Sequence, residues 1–100
     1  MSLYAIIGHD RPGSLPDRQR VRPAHLDRVR RLVDEGRLVV AGPFPAVDAA
    51  DPGPAGFTGS LIVAEFDSLE QARDWIAGDP YVTEGVFADV DVRPFRQVLP

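Results

Sequence analysis

The chain contains no cysteine among its 100 residues, so it forms no disulfide and has neither a thiolate nucleophile nor a cysteine-ligated zinc site. It also lacks an apolar run long enough to cross a bilayer. Residues 2–8 have neither the basic lead nor the long apolar stretch of a signal peptide. We therefore expect one cytoplasmic domain, residues 1–100, with no membrane-spanning segment.

Lysine is absent as well, and the charge that remains is unevenly distributed. Eight of the eleven arginines lie in residues 11–37, and ten of the fifteen acidic residues follow Ala46. The formal net charge of −4 argues against nucleic acid as a partner, because phosphate binding needs positive surface charge. The arginine-rich stretch is either an anion-binding patch or, more simply, a solvated helix face paired with neighbouring acids.

Hydrophobic periodicity predicts strands at 3–7, 37–41, 58–66 and 86–98, and helices at 17–35 and 68–77. Gly36 predicts the end of the first helix, whereas Pro23 predicts either its start or a kink. Ser68 begins a capping box for the second helix. The order β-α-β-β-α-β is typical of the α+β ferredoxin-like arrangement, an antiparallel sheet with both helices on one face.

Two further features concern the surfaces of this fold. The segment 43–57 carries four prolines and two glycines, which favours a lid or binding wall, or else a rigid connection across the end of the sheet.

Strands one and three are apolar on both faces, although two helices cover only one face. We therefore predict a homodimer joined through the uncovered sheet face.

The first helix directs a histidine toward the core. On a helical wheel, His25 falls within an apolar stripe that includes Leu26 and Val29, and Arg22 falls in the same stripe one turn earlier. A buried imidazole needs a hydrogen-bonding partner, so His25 is either a core group with a partner or a general acid or base. The wheel alone leaves both alternatives open.

Asp79 and Arg22 are the charged residues that we associate with His25. Asp79 follows the second helix and precedes Pro80, so it is either the carboxylate that orients the imidazole or an ordinary turn residue. Arg22 could clamp an anionic substrate group, or could extend from the helix to solvent.

Three other polar residues are candidates near strand ends. Ser60, near the start of the third strand, could offer its hydroxyl to a substrate. His9 and Asp10 end the first strand, but adjacent strand residues point to opposite faces, which disfavours a shared metal ion. We expect no metal site, and no Gly-rich phosphate loop or nucleophile elbow is present.

Several of these residues belong to motifs that resemble the YciI-like family over nearly the whole chain. The motifs are Arg22-Pro23-Ala24-His25-Leu26, Gly36 to Pro43, Gly56 to Ser60, Asp79-Pro80-Tyr81, Gly85-Val86 and Val92-Arg93-Pro94-Phe95. The resemblance implies a dimeric α+β barrel, related in fold to muconolactone isomerases, with a histidine–aspartate site. Carried over by position, the site is His25 with Asp79, and Asp10 is a second candidate for the aspartate. Arg22 and Ser60 also lie within matching motifs.

Two functions are compatible with these features. The first is a small cofactor-free enzyme in which His25 transfers a proton, Asp79 orients it and Arg22 holds a small anionic substrate. Its reaction would be an isomerisation or an elimination, since a chlorinated-hydroquinone dehydrochlorinase is a relative of the family. The alternative is a non-catalytic module that binds a small metabolite or acts as a dimerising accessory.

Overall fold

The computed structural model describes residues 2–100 and confirms the predicted fold class. Its elements, in chain order, are β1 Ser2–Asp10, α1 Leu15–Asp34, β2 Leu38–Pro45, a short 3-10 helix Gly53–Ala55, β3 Phe57–Phe66, α2 Leu69–Ala77, α3 Pro80–Thr83 and β4 Phe87–Phe95. The strands form one antiparallel sheet in the order β2-β3-β1-β4. This is the ferredoxin-like α+β arrangement.

The core lies between the sheet and the helices. Side chains at alternate positions of β1 and β3 point to the helices, as the period of a strand requires. The buried set on this face of the two strands is Tyr4, Ile6, Ile62, Ala64 and Phe66. From α1 the apolar members of the core are Val21, Val29 and Leu32. Val33, which the wheel places in the same stripe, is instead 54% exposed and lies at its edge.

Helix α1 is longer than predicted at its start and ends as predicted. It begins at Leu15 with Pro16 in its first turn, a position where a missing N–H removes no helical bond. Pro23 lies inside the helix, so the first of its two alternatives, a helix start at Pro23, is wrong; the Pro23 ring is exposed to solvent. Gly36, at φ 71°, ends the helix: its N–H bonds to the Val33 carbonyl and that of Arg37 to Leu32, the Schellman pattern.

The strand ends differ from the prediction by more than one residue in three places. β1 continues to Asp10, three residues beyond its predicted end. β2 continues to Pro45, so part of the proline-rich segment belongs to the sheet. β4 ends at Phe95, three residues short of the predicted end. A register shift between His9 and Asp10 turns Phe87 toward the core and leaves Ala88 exposed. Before α2, the Ser68 hydroxyl accepts a hydrogen bond from the Gln71 N–H at 3.1 Å, as the capping motif predicts.

The opposite sheet face has no helix over it. In register across the central strands it carries Leu3, Ala5, Ile7, Leu61 and Val63. At its edges Val40, Phe44 and Phe95 are 39–49% exposed. None of the helices in residues 2–100 is long and apolar enough to cross a membrane.

Candidate active site

A cavity of about 160 Å³ opens between the first half of α1, the middle of β2 and β3, and α3. Its polar lining residues are Arg18, Arg22, His25, Ser60 and Tyr81. The rest of its wall is apolar side chain or strand backbone from α1, β2 and β3. Pro43, from the proline-rich segment, forms part of that wall. A mainly apolar lining with a few convergent polar groups is typical of a small-molecule site.

His25, one of the residues that line this cavity, contacts Asp79. Nδ1 of His25 lies 2.9 Å from Oδ1 of Asp79, whose side chain is fully buried. A carboxylate on one ring nitrogen fixes the proton there, so Nε2 carries the lone pair of the neutral ring. Nε2 has no hydrogen bond within residues 2–100, where every fully enclosed polar side-chain atom has a partner. Nε2 is therefore not enclosed by protein, and it faces the cavity that His25 lines.

Asp79 is held in place by the turn it begins. It is the N-cap of α3, and its Oδ1 also accepts the Tyr81 backbone N–H at 2.9 Å. Pro80 takes the first position of this helix, where its ring is preorganised. The turn role and the contact with His25, which the sequence presents as alternatives, therefore coexist in one carboxylate.

The second oxygen of Asp79 binds an arginine that the sequence analysis did not identify. Nη1 of Arg28 donates to Oδ2 of Asp79 at 3.1 Å, and Nη2 donates to the Trp75 carbonyl at 2.8 Å. The guanidinium also lies over the Trp75 ring, 4.5 Å from its centroid. Arg28 thus keeps a positive charge beside the buried carboxylate, which a buried anion requires.

Asp10, the second candidate partner of His25, instead binds Arg18. Nε and Nη2 of Arg18 donate to the two carboxylate oxygens at 2.9 and 2.7 Å. The side chains of both residues are about 95% buried. Ser14 donates to the same carboxylate, and the Ser60 hydroxyl accepts from Nη2 of Arg18 at 3.1 Å. Asp10 and Ser60 therefore hold the guanidinium at the cavity wall.

Tyr81, a residue to which the sequence alone gives no role, contacts both of these clusters. Its ring stacks on the His25 imidazole, with centroids 3.9 Å apart and planes 11° apart, and the Arg18 guanidinium lies 4.7 Å from its centroid. Burial raises the pKa of the Tyr81 hydroxyl above its ordinary value, opposed by the positive charges of Arg18 and Arg22. The hydroxyl is therefore protonated at neutral pH.

Arg22 and His9 differ from the other candidates in exposure. Arg22 lies at the cavity rim with its side chain exposed, so it does not point into the core as the wheel predicts. No ion pair within residues 2–100 involves it, which leaves its charge available to a ligand.

His9 is on the uncovered sheet face, where Nε2 lies 3.2 Å from Oδ2 of Asp91, away from the Asp10 carboxylate. No cluster of three or more metal-ligating side chains occurs in the described part of the chain.

Known proteins share this fold and much of this sequence. The model of the YCII-related domain family matches residues 2–96. Protein YciI of Escherichia coli is 57% identical over 97 residues, covering 97% of this chain and 99% of that protein. An uncharacterised protein of Haemophilus influenzae is 50% identical over 96 residues, covering 96% of this chain and 98% of that protein.

One solved structure combines a close fold with a known activity. It is the 5-chloro-2-hydroxyhydroquinone dehydrochlorinase of Burkholderia phenoliruptrix, in complex with 2,5-dihydroxybenzoquinone. It is 30% identical, with a TM-score of 0.81, and the match covers 94% of this chain and 93% of that one. Together with the family model and the closely related sequences, this likeness confirms the resemblance that the motifs carry: the chain belongs to the YCII-related, or YciI-like, family.

Proposed function

We propose that this cavity is the active site of a small cofactor-free enzyme in which His25 transfers a proton on a small anionic substrate. The observation that carries the proposal is the orientation of the imidazole. Nδ1 is 2.9 Å from the buried Asp79 carboxylate, and Nε2 faces the cavity. A ring held in this way is arranged for general base and then general acid catalysis.

The reaction class follows from what an imidazole can do without a cofactor. Nε2 takes a proton from a C–H or O–H group of the substrate, and the electron pair of that bond moves into the substrate. In an elimination a leaving group such as chloride departs with its own electron pair. In an isomerisation the imidazolium returns the proton to another carbon. Asp79 stabilises the imidazolium that exists between the two steps.

The charged and hydroxyl groups around His25 support a small anionic substrate. Arg22 has no ion pair within residues 2–100 and lies at the rim, where it would bind an anionic group of the substrate. Asp10 and Ser60 act through Arg18, which they hold against the cavity. The small volume favours a single ring, a class that includes the compound bound in the dehydrochlorinase.

The test is turnover of 5-chloro-2-hydroxyhydroquinone, followed by chloride release, in the wild-type protein and two histidine variants. His25→Gln should lower the rate by about 10²–10⁴-fold, the usual contribution of a positioned acid or base. His9→Gln makes the same change on the uncovered sheet face and should leave the rate unchanged.

Two other results would change the conclusion. Binding of 2,5-dihydroxybenzoquinone without turnover would favour the non-catalytic metabolite-binding module. Equal turnover in His25→Gln and the wild type would remove the catalytic role.

We also propose that two copies of the chain pack through the uncovered sheet face. This face carries an apolar centre, including Leu3, Ala5 and Ile7, and exposed apolar side chains at its edges. Contiguous exposed apolar surface of this kind is typical of an interface. Light scattering should give about twice the chain mass of 10.9 kDa.

A charge placed on that face tests the dimer. Ile7→Glu should produce a folded monomer, because a carboxylate would be desolvated in the interface. Val33→Glu, on the exposed side of α1, is the matched control and should remain dimeric. A wild-type monomer at micromolar concentration would overturn this part of the proposal.

A further inference from the structure

We propose that Tyr81 is a catalytic residue: its hydroxyl donates a hydrogen bond to the substrate oxygen on which negative charge develops while His25 takes the proton. The inference rests on the proposed function of the cavity and deepens it. It also defines the substrate class as a compound whose carbonyl or enol oxygen is conjugated with the group that loses the proton.

One carboxylate oxygen positions both Tyr81 and His25. Oδ1 of Asp79 accepts the Nδ1 proton of His25 and the backbone N–H of Tyr81, each at 2.9 Å. The two rings are then stacked at 3.9 Å. A single buried atom, Oδ1 of Asp79, therefore fixes the position of Tyr81 relative to His25. Electrostatic catalysis needs groups that are held in place in this way before the reaction begins.

The tyrosine hydroxyl has its hydrogen available for a substrate. Tyr81 is 2% exposed but lines the cavity. The Arg18 guanidinium, 4.7 Å from the Tyr81 ring centroid, only donates hydrogen bonds and so takes no hydrogen from the hydroxyl. No acceptor for the hydroxyl hydrogen is formed by the described residues, in which no fully enclosed polar side-chain atom lacks a partner. The hydroxyl is therefore not fully enclosed by protein, and its hydrogen is available to a ligand in the cavity that Tyr81 lines.

The surrounding charges suit an oxygen that becomes negative. When Nε2 of His25 accepts a proton, the electron pair of the broken bond moves through the conjugated system onto the substrate oxygen. The Tyr81 O–H donates to that oxygen without transferring its proton, and the positive charge of Arg18 beside the ring favours the developing negative charge. In an elimination the charge then returns to expel the leaving group, so atoms and electrons balance without an oxidant or reductant.

The experiment compares Tyr81→Phe with Tyr4→Phe, which makes the same change at the only other tyrosine. Tyr4 lies in the core beside Phe66, with its ring edge-on at 6.4 Å. Both variants are assayed for chloride release from 5-chloro-2-hydroxyhydroquinone and for binding of 2,5-dihydroxybenzoquinone, and thermal unfolding checks their folding. Tyr81→Phe keeps the ring that stacks on His25, so we expect a folded protein.

We expect Tyr81→Phe to lower kcat by about 10²-fold, the effect of losing one donor to a developing oxyanion, while KM changes by less than about threefold. Tyr4→Phe should match the wild type. An equal kcat in Tyr81→Phe and the wild type would overturn the role of Tyr81 while leaving His25 in place. A wild-type protein that neither binds nor turns over these compounds would overturn both proposals.

Discussion

Two buried aspartates, Asp10 and Asp79, are each bound by an arginine of α1, yet their surroundings differ in one respect. Asp10 is surrounded by groups that only satisfy it: both donors of Arg18 and the hydroxyl of Ser14. Asp79 also binds an arginine, but one of its oxygens holds an imidazole whose other nitrogen faces the cavity. The first cluster has no group left to exchange a proton, and the second has one.

This contrast separates a structural ion pair from a functional site. Buried charge alone does not distinguish the clusters, because each carboxylate is paired, as burial requires. The Asp79 cluster differs because it contains His25, whose Nδ1 binds the carboxylate while its Nε2 remains open. Tyr81 connects the clusters, since its ring contacts both His25 and Arg18.

Replacing each aspartate by asparagine should produce the largest contrast. Asp79→Asn leaves the size of the side chain unchanged but removes the charge that stabilises the imidazolium, and turnover should fall by about 10³–10⁴-fold. Asp10→Asn should reduce turnover by less than about tenfold, because it acts only through Arg18. The measurement is kcat/KM for chloride release, and equal losses in the two variants would mean that the clusters do not differ in function.

Replacing the arginine of each cluster should lower the free energy of unfolding by different amounts. Arg18→Met leaves Asp10 almost fully buried and without a cation, which should cost about 3–5 kcal/mol. Arg28→Met should cost less than Arg18→Met, because the Arg28 side chain is already 23% exposed and Asp79 keeps its bonds to His25 and to the Tyr81 N–H. Urea unfolding measures both values, and a larger loss for Arg28→Met would contradict this ranking.

A smaller effect should appear at high pH. Because burial raises the folded-state pKa of Tyr81, the unfolded chain releases this proton first as pH rises. The stability that depends on the protonated hydroxyl is therefore complete below the ordinary value near 10.0 and declines as pH rises toward the folded-state pKa. The chain contains no lysine and no cysteine, so neither residue type adds to side-chain titration between about pH 9 and 11.

The midpoint of urea unfolding, measured across this pH range, tests the effect. The wild type and Tyr4→Phe should lose stability as pH rises, whereas Tyr81→Phe should lose less. Identical pH dependence in all three proteins would show that Tyr81 is not titrating from a buried position.

The fold was predictable because its signals are local or periodic. The alternation in β1 and β3, the Gly36 stop and the Ser68 cap each act within a few residues, and each is found in the structure. The start of α1 was less predictable, because Pro16 suggests a turn but is equally compatible with a first helical turn. The end of β4 was also less predictable, because Val98 favours a strand by residue type but has no neighbouring strand to pair with.

The site was only partly predictable, for a physical reason. The inward position of His25 follows from the helical period, and that of Asp79 follows from the end of α2 together with the family motif. Arg18 and Arg28 were not identified as members of the site. An arginine on a helix rich in polar residues turns inward only when a carboxylate from a distant part of the sequence binds it. Their carboxylates are contributed by β1 and by the turn before α3, so the pairing exists only once the chain has folded. Wheel position alone could have suggested Arg18, two helical turns before His25.

The most direct test of the central claim is the protonation state of the His25 ring nitrogens, measured by long-range ¹⁵N–¹H NMR in the His9→Gln protein. With two histidines in the chain, this variant contains His25 alone. At a pH where the ring is neutral, we predict a proton on Nδ1 and a lone pair on Nε2, with the Nε2 signal shifting when 2,5-dihydroxybenzoquinone is added. A proton on Nε2, or an Nε2 signal that does not shift when the compound is added, would contradict the role of His25 as a base that faces the cavity.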